Sequence, residues 1–235
     1  MDDRSVDHRL FEQAADGRCG TGPLLRAARS VLGDIAAGRR EMRAVRHPLG
    51  FLCFPVERED GCGVCIHVFG ADAHETYGMQ GMQGTASALT TSPVHAHSWD
   101  LTSCVLYGQV VNVPVRVTVH QERPTHRVFE IVSDPAGVDE LRPTPRLVAY
   151  EPGVAQTSGA GEVYTLPAGE FHTTLVSGRS AATVLLGCSR PGGRDLSLGP
   201  LHGAGHRVVR QQCDAEQSAR TAGSVLRRIH APHRR

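Results

Sequence analysis

Hydrophobic residues recur at two different spacings along this chain. Within residues 24–42 they recur at the helical interval, and one buried face is formed by Leu24, Leu25, Ala28, Val31, Leu32 and Ile35. A similar stripe predicts a second helix over residues 215–229. Between these two segments the interval changes to two residues, which is typical of half-buried strands. The pattern therefore predicts a β-rich centre with one helix on each side.

Nine apolar runs in the centre predict strands: 50–56, 64–69, 101–106, 109–119, 127–133, 146–150, 162–166, 173–176 and 182–186. Turns rich in Gly and Pro, such as 134–137 and 157–161, separate them. Many short strands separated by turns rich in Gly and Pro are typical of a β-sandwich or β-barrel. Residues 1–20 are polar and are expected to be frayed. The long loop over 70–92 precedes His95 and is expected to form a lid or rim of a site.

Composition adds few constraints on function. The 235 residues are 40% hydrophobic and 21% charged, as in one ordinary globular protein. A net charge of +1 gives no electrostatic case for nucleic acid or an anionic membrane. No apolar run approaches the roughly 18 residues of a membrane span, and no apolar segment follows a basic start. We therefore expect a cytoplasmic protein with free thiols, without lysine-based chemistry because lysine is absent.

The seven cysteines include one CxxC motif, Cys62-Gly-Val-Cys65. No second cysteine pair follows at zinc-finger spacing. We therefore favour a structural or incidental role for this motif over a redox or zinc site, which stays open as the alternative.

Two of the thirteen histidines, His95 and His97, are separated by one residue. Residues i and i+2 of a strand point to the same face, so both imidazoles enter one space. With a third imidazole, such as that of His172, they would form a metal site with open coordination positions. Imidazole ligands suit Fe, Ni, Cu and Zn.

Two segments around these histidines carry a family resemblance. The first, residues 93–108, contains His95-Ala-His97, and the second has Gly161, Pro167, Gly169 and His172 in the spacing Gly-x5-Pro-x-Gly-x2-His. Together they resemble the two motifs of the cupin superfamily, over roughly residues 45–190. Three positions depart from the family pattern: Leu89, Val176 and Leu101 stand where Gly, Asn and the Glu ligand are usual.

The resemblance implies an all-β fold, a double-stranded β-helix or cupin jelly roll, with flanking N-terminal and C-terminal helices. We expect an N-terminal segment and helix at 1–44, the barrel at 45–200 and a C-terminal segment and helix at 201–235. The metal ligands implied are His95, His97 and His172. Asp100 is adjacent to the missing Glu, but it can ligate only if the strand bends or bulges, because a one-residue shift reverses the face.

The function implied is that of a mononuclear non-haem Fe(II) enzyme, similar to thiol dioxygenases, which oxidises a small molecule with dioxygen. The alternatives are a non-oxidative isomerase, epimerase or lyase that uses Zn, Ni or Mn, and a small-molecule-binding cupin without turnover. Pairing through exposed strand edges leaves a homodimer open.

Further site residues follow from strand parity with His97, from closeness to the two motifs, and from side-chain chemistry. Leu101, Ser103 and Val105 share one strand face and are expected to line the cavity, whereas Cys104 packs outside. The candidates for catalysis are the hydroxyls of Tyr164 and Ser103. The candidates for substrate binding are Trp99, at the mouth of the site, Leu101, Val105, and the carboxylate-binding arginines Arg116 and Arg146.

One competing arrangement uses other residues. His120 and Glu122, together with His172, imitate a 2-His-1-carboxylate iron site. The surrounding segment has the composition of a turn at the end of a strand, so the three-histidine site is preferred.

Overall fold

The computed structural model describes residues 6–70 and 92–231. The loop predicted to form a lid or rim, 70–92, lies almost wholly outside the described residues. Three helices lie in the described ranges: α1 (Arg9–Ala15), α2 (Gly22–Ala36) and α3 (Ala215–His230). Within the described ranges, none of them combines the length and apolarity that crossing a membrane requires.

The helices match the sequence prediction unevenly. Helix α3 spans the predicted segment, and its first turn is capped by Asp214, whose side chain accepts a hydrogen bond from the Gln217 amide. Helix α2 ends at Ala36, before the predicted end, because Gly38 adopts a left-handed conformation that terminates helices. The prediction of a frayed start was wrong for α1, since Phe11 on this helix is fully buried.

The strands pair antiparallel throughout and are β1 (Val45–Arg46), β2 (Leu52–Glu59), β3 (Cys62–Gly70), β4 (His95–Ala96), β5 (Trp99–Val119), β6 (His126–Ser133), β7 (Val138–Pro152), β8 (Gln156–Gly159), β9 (Val163–Leu166), β10 (His172–Ser189), β11 (Asp195–Gly199) and β12 (His206–Val209). The order β10–β4–β11–β6–β7–β5 closes on itself, because β5 also pairs with β10. Closure leaves the ring without an edge strand. This confirms the predicted double-stranded β-helix with flanking helices.

Two long strands replace four predicted short ones. Strand β5 joins the predicted 101–106 and 109–119, and β10 joins 173–176 and 182–186. The bend in β5 falls at Gly108, where φ is +78° and an added Cβ would lie 2.4 Å from the Ser180 carbonyl oxygen. Only glycine fits such an approach, and the bend lets one strand serve both sides of the barrel. The turn predicted at 157–161 is largely strand β8.

Alternate residues of the central strands face two different environments. The even-numbered residues of β3, such as Ile66, pack with Cys104 of β5 and with the three helices in the largest hydrophobic core. The odd-numbered residues of β3 point to the barrel interior. The helices therefore cover the outer face of this sheet, and the inner face is left for the site.

The expectation that all thiols are free was wrong, because Cys62 and Cys188 form a disulfide between β3 and β10. They are direct cross-strand partners on the helix-covered face. Cys65 lies three residues from Cys62 and therefore points to the opposite face. The CxxC spacing does not make a cysteine pair here, because both residues lie in a strand.

Candidate metal centre

Three histidines converge at one point of the barrel. His95 in β4 is the direct cross-strand partner of His172, the first residue of β10. His97 follows β4, and its carbonyl oxygen accepts a hydrogen bond of 2.8 Å from the Gly169 amide. The ring centroids are 4.7 Å apart for His95 and His97, 4.4 Å for His95 and His172, and 5.1 Å for His97 and His172. The predicted convergence of the three imidazoles is confirmed.

The ring nitrogens are arranged to accept a metal ion. One ring nitrogen from each histidine lies within 4.8 Å of the corresponding atom of the other two. The Nδ1 of His95 lies 2.8 Å from the Pro93 carbonyl oxygen, and that of His172 lies 3.1 Å from the Glu170 carbonyl oxygen. A carbonyl oxygen only accepts, so Nδ1 carries the proton in both rings and Nε2 keeps its lone pair. The Nε2 atom of His172 is buried without a hydrogen-bond partner.

Burial keeps these imidazoles neutral. Desolvation lowers the pKa of His95, against a smaller opposing effect of its hydrogen bond to Pro93. Desolvation also lowers the pKa of His97 well below its ordinary value, aided by the charges of the neighbouring histidines. For His172, desolvation and then the charge of His95 lower the pKa to about 4. Neutral imidazoles are the form that binds metals, so the cluster needs no deprotonation at neutral pH.

Trp99 is the nearest neighbour of the cluster on β5. Its indole stacks on the His97 imidazole with ring centroids 4.1 Å apart. Beyond it, Leu101, Ser103 and Val105 are all buried, and they lie opposite Gly187, Leu185 and Thr183 of β10. Val105 belongs to a small inner core, whereas Cys104 lies in the outer core, as strand alternation predicted.

The two hydroxyls predicted to act in catalysis are neighbours. Tyr164 of β9 is the direct cross-strand partner of Ser103 of β5. Burial raises the pKa of the Tyr164 phenol, and the polar side chains of Ser103, Asn112 and Thr183 partly oppose this rise. Tyr164 therefore keeps its proton at neutral pH and can donate a hydrogen bond.

Asp100 takes no part in the cluster. Its Oδ1 accepts a hydrogen bond of 2.8 Å from the Ala168 amide, and its Oδ2 pairs with Arg190. The bulge that would turn Asp100 inward does not occur, since Trp99 to Thr102 pair with β10 without a register shift. Among the described residues, the three-histidine cluster contains no carboxylate.

The two predicted substrate-binding arginines lie elsewhere. Arg116 is exposed and forms an ion pair with Glu151, its partner across β5 and β7. Arg146 is exposed on β7 and lines a surface groove with Val119 and Gln121. Arg116 follows the buried Val115 in the strand and therefore points to the opposite, outer face, as strand alternation requires.

The competing 2-His-1-carboxylate arrangement is wrong. The Nδ1 of His120 accepts a hydrogen bond of 3.2 Å from the Arg123 amide, within a turn. Glu122 is exposed in the same turn. Over residues 6–70 and 92–231, neither of them joins His172 in a group of candidate ligands.

A second group of candidate ligands was not predicted. Cys53, Cys65 and His67 place one ligand atom each within 4.8 Å of one another. A hydrogen bond between the two thiols lowers the pKa of Cys65, and the neighbouring His67 adds to this effect. The signal was available in the predicted strand 64–69, where Cys65 and His67 are two residues apart and share a face.

Comparisons with known proteins give structural matches alone. No family model and no curated protein matches the chain. A cupin superfamily protein from Desulfitobacterium hafniense DCB-2 is similar, with 8% identity and a TM-score of 0.29 over 60% of this chain and 78% of that one. The Schizosaccharomyces pombe Cnp3 cupin domain has 7% identity and a TM-score of 0.30 over 60% and 62%.

A third similar structure is a hydroquinone 1,2-dioxygenase, PnpCD, in complex with Cd²⁺ and 4-hydroxybenzonitrile. It has 15% identity and a TM-score of 0.32, over 58% of this chain and 63% of that one. At such identities and TM-scores, the assignment of function depends on the geometry of this chain. The closed antiparallel barrel and its three-histidine cluster are the features that the cupin resemblance predicted.

Proposed function

We propose that His95, His97 and His172 hold a ferrous ion and that the protein oxidises a small molecule with dioxygen. The observation that carries this proposal is the buried Nε2 atom of His172, which has no hydrogen-bond partner and lies among two further neutral imidazoles. A buried polar atom without a partner destabilises the fold unless a ligand satisfies it. A metal ion bound by all three rings would remove that penalty.

The three ligands define what the metal site can do. Three protein ligands leave coordination positions for other molecules. Ferrous iron held there would supply a redox centre open to both dioxygen and substrate. Because the ligands are neutral, the site keeps the full double positive charge of the ion. A substrate that binds through a carboxylate, phenolate or thiolate group would therefore be favoured.

The surrounding side chains would orient the substrate and exclude water. The Trp99 indole covers one face of His97, and Leu101 and Val105 provide an apolar wall. Exclusion of water strengthens the electrostatic interactions at the centre. The Tyr164 phenol retains its proton and, with the Ser103 hydroxyl, would donate hydrogen bonds to polar groups of the substrate. Arg116 and Arg146, on the outer surface, have no part in this proposal.

A second candidate function uses the same ligands without dioxygen. An all-imidazole site also accepts Zn and Ni, and a bound Lewis acid would serve an isomerase, epimerase or lyase. The observation that favours this second function is the same cluster of three neutral imidazoles, His95, His97 and His172. Dependence on oxygen separates the two functions.

The test measures oxygen uptake by the iron-loaded protein. Anaerobically purified protein is loaded with Fe(II) and mixed with small thiols, hydroxybenzoates and 2-hydroxy acids in an oxygen electrode. The proposal predicts uptake only with a fitting compound, loss of uptake in His97→Ala, and retention in His120→Ala, the matched control on an outer turn. Conversion of a compound at the same rate without oxygen would replace the oxidative function by the second candidate.

A further inference from the structure

A second ligand cluster lies on the inner face of the sheet. Cys53 of β2 is the direct cross-strand partner of His67 of β3, and Cys65 precedes His67 by two residues on the same face. The two sulfur atoms and one imidazole nitrogen lie within 4.8 Å of one another. None of the three residues belongs to the three-histidine cluster or to the Cys62–Cys188 disulfide.

The donor atoms define the kind of ion that fits. Thiolates are soft ligands and select thiophilic ions, whereas iron, manganese and magnesium sites draw more on imidazole and carboxylate. Two thiolates with one imidazole are a known zinc donor set, in which the fourth position stays open for water or a ligand. We propose that Cys53, Cys65 and His67 form a second metal site, and that it binds Zn²⁺.

The charges at this site support burial of an ion. Two thiolates neutralise the double positive charge of zinc, so the complex carries no net charge into the barrel. A neutral complex avoids most of the desolvation penalty of a buried ion. The three-histidine centre, by contrast, keeps its positive charge. The two sites therefore differ in both ligand softness and net charge, which allows each to select a different metal.

An aromatic group holds the His67 ring in place. The Phe51 ring lies 4.5 Å from that of His67 and 5.1 Å from that of Phe69, measured between centroids. On its other side Phe51 stacks with His47 at 4.2 Å, with planes only 9° apart. This packing restrains the orientation of the His67 ring. Contacts that hold the ring of a ligand in place help to keep it in position for a metal ion.

Cobalt substitution gives a direct readout of thiolate ligation. The reduced full-length protein is titrated with Co²⁺, and near-ultraviolet thiolate-to-cobalt charge-transfer absorption is recorded. We expect the absorption in the wild type and its loss in Cys65→Ser. Cys19→Ser serves as the matched cysteine control, since Cys19 lies outside the cluster, and it should retain the absorption. Absence of the absorption in the wild type, or its persistence in Cys65→Ser, would overturn the proposal.

Two further measurements keep the test decisive. If Cys65→Ser fails to fold, alkylation of the wild-type protein with iodoacetamide serves as the test instead. Bound Zn²⁺ should protect Cys53 and Cys65 from alkylation but leave Cys19 reactive. Equal labelling with and without Zn²⁺, or a Cys53–Cys65 disulfide in metal-loaded protein, would contradict a metal site. His97→Ala should retain the cobalt–thiolate absorption while it loses oxygen uptake, so failure of this inference is distinguishable from failure of the proposed function.

Discussion

The indole of Trp99 stacks on the imidazole of His97, with ring centroids 4.1 Å apart and planes inclined by 28°. Backbone carbonyl oxygens orient His95 and His172, whereas this aromatic contact orients His97. The indole in turn lies against Gly187 of β10, where an added Cβ would be 2.6 Å from Trp99 Cε3. Glycine at this position therefore lets the indole reach the three-histidine cluster.

Replacement of this glycine should disturb the metal site without touching a ligand. In Gly187→Ala the new methyl group displaces the indole, and we expect metal affinity to fall by about 10-fold, as for other groups that position a ligand. Calorimetric titration with Ni²⁺ measures the effect. Gly33→Ala is the matched control, because Gly33 in α2 has no atom within 4 Å of an added Cβ. Unchanged affinity in Gly187→Ala would show that the stacking does not position His97.

Asp100 should prove dispensable for metal binding. Its carboxylate is held by the Ala168 amide and Arg190, and these contacts, the amide first, lower its pKa. We expect Asp100→Asn, loaded with Fe(II), to keep the full iron content by elemental analysis, whereas His172→Ala loses it. An iron content in Asp100→Asn as low as in His172→Ala would show that the carboxylate is a ligand.

The buried histidines should make the metal-free protein sensitive to acid. The pKa of His172 is about 4 in the folded state, against an ordinary value of 6.5. Between these two pH values the unfolded state binds more protons at this residue than the folded state does. The contribution of neutral His172 to the free energy of unfolding is therefore fully present above pH 6.5 and is lost as the pH falls toward 4. For His172 the loss is about 3 kcal/mol. The free energy of unfolding is measured by urea titration of chelator-treated protein between pH 6.5 and pH 4. It should fall less steeply with decreasing pH in His172→Gln than in the wild type. Equal pH dependence in the two proteins would contradict a buried, neutral His172.

The Cys62–Cys188 disulfide should contribute strongly to stability. It joins residues 126 positions apart, and the entropy of closing so long a loop corresponds to about 5 kcal/mol. We expect Cys188→Ser to lower the free energy of unfolding by that order in urea titrations, and reduction of the wild type to have the same effect. Cys19→Ser should match the wild type. Free thiols at both positions in the native protein would contradict the bond.

Strand alternation explains which parts of the site could be predicted from the sequence. The sequence predicts the cluster of His95, His97 and His172 because a two-residue spacing coincides with a spaced motif. The same alternation predicts that Asp100 lies on the other face, where the structure has it. The expectation that Arg116 binds substrate conflicts with the same alternation, because its neighbour Val115 is the residue that faces inward. The CxxC spacing links Cys65 to Cys62 in the sequence, but strand geometry places these two on opposite faces and brings Cys65 next to His67. The cross-strand partner, Cys53, depends on register, which local sequence does not specify.

The helices show a similar limit. Helix α1 is only seven residues long, too short for its periodicity to stand out from a polar segment. Its stability comes from burial of Phe11 against the sheet. Contacts of that kind depend on tertiary packing, so the sequence pattern within residues 1–20 does not predict them.

X-ray absorption of the ferrous protein tests the central claim, that three imidazoles hold the ion, most directly. We predict an iron environment of nitrogen and oxygen atoms alone, with the multiple-scattering signature of imidazole. His97→Ala should weaken that signature and lower the iron content, and His120→Ala should change neither. Sulfur among the iron ligands, or a spectrum unchanged by His97→Ala, would contradict the three-histidine centre.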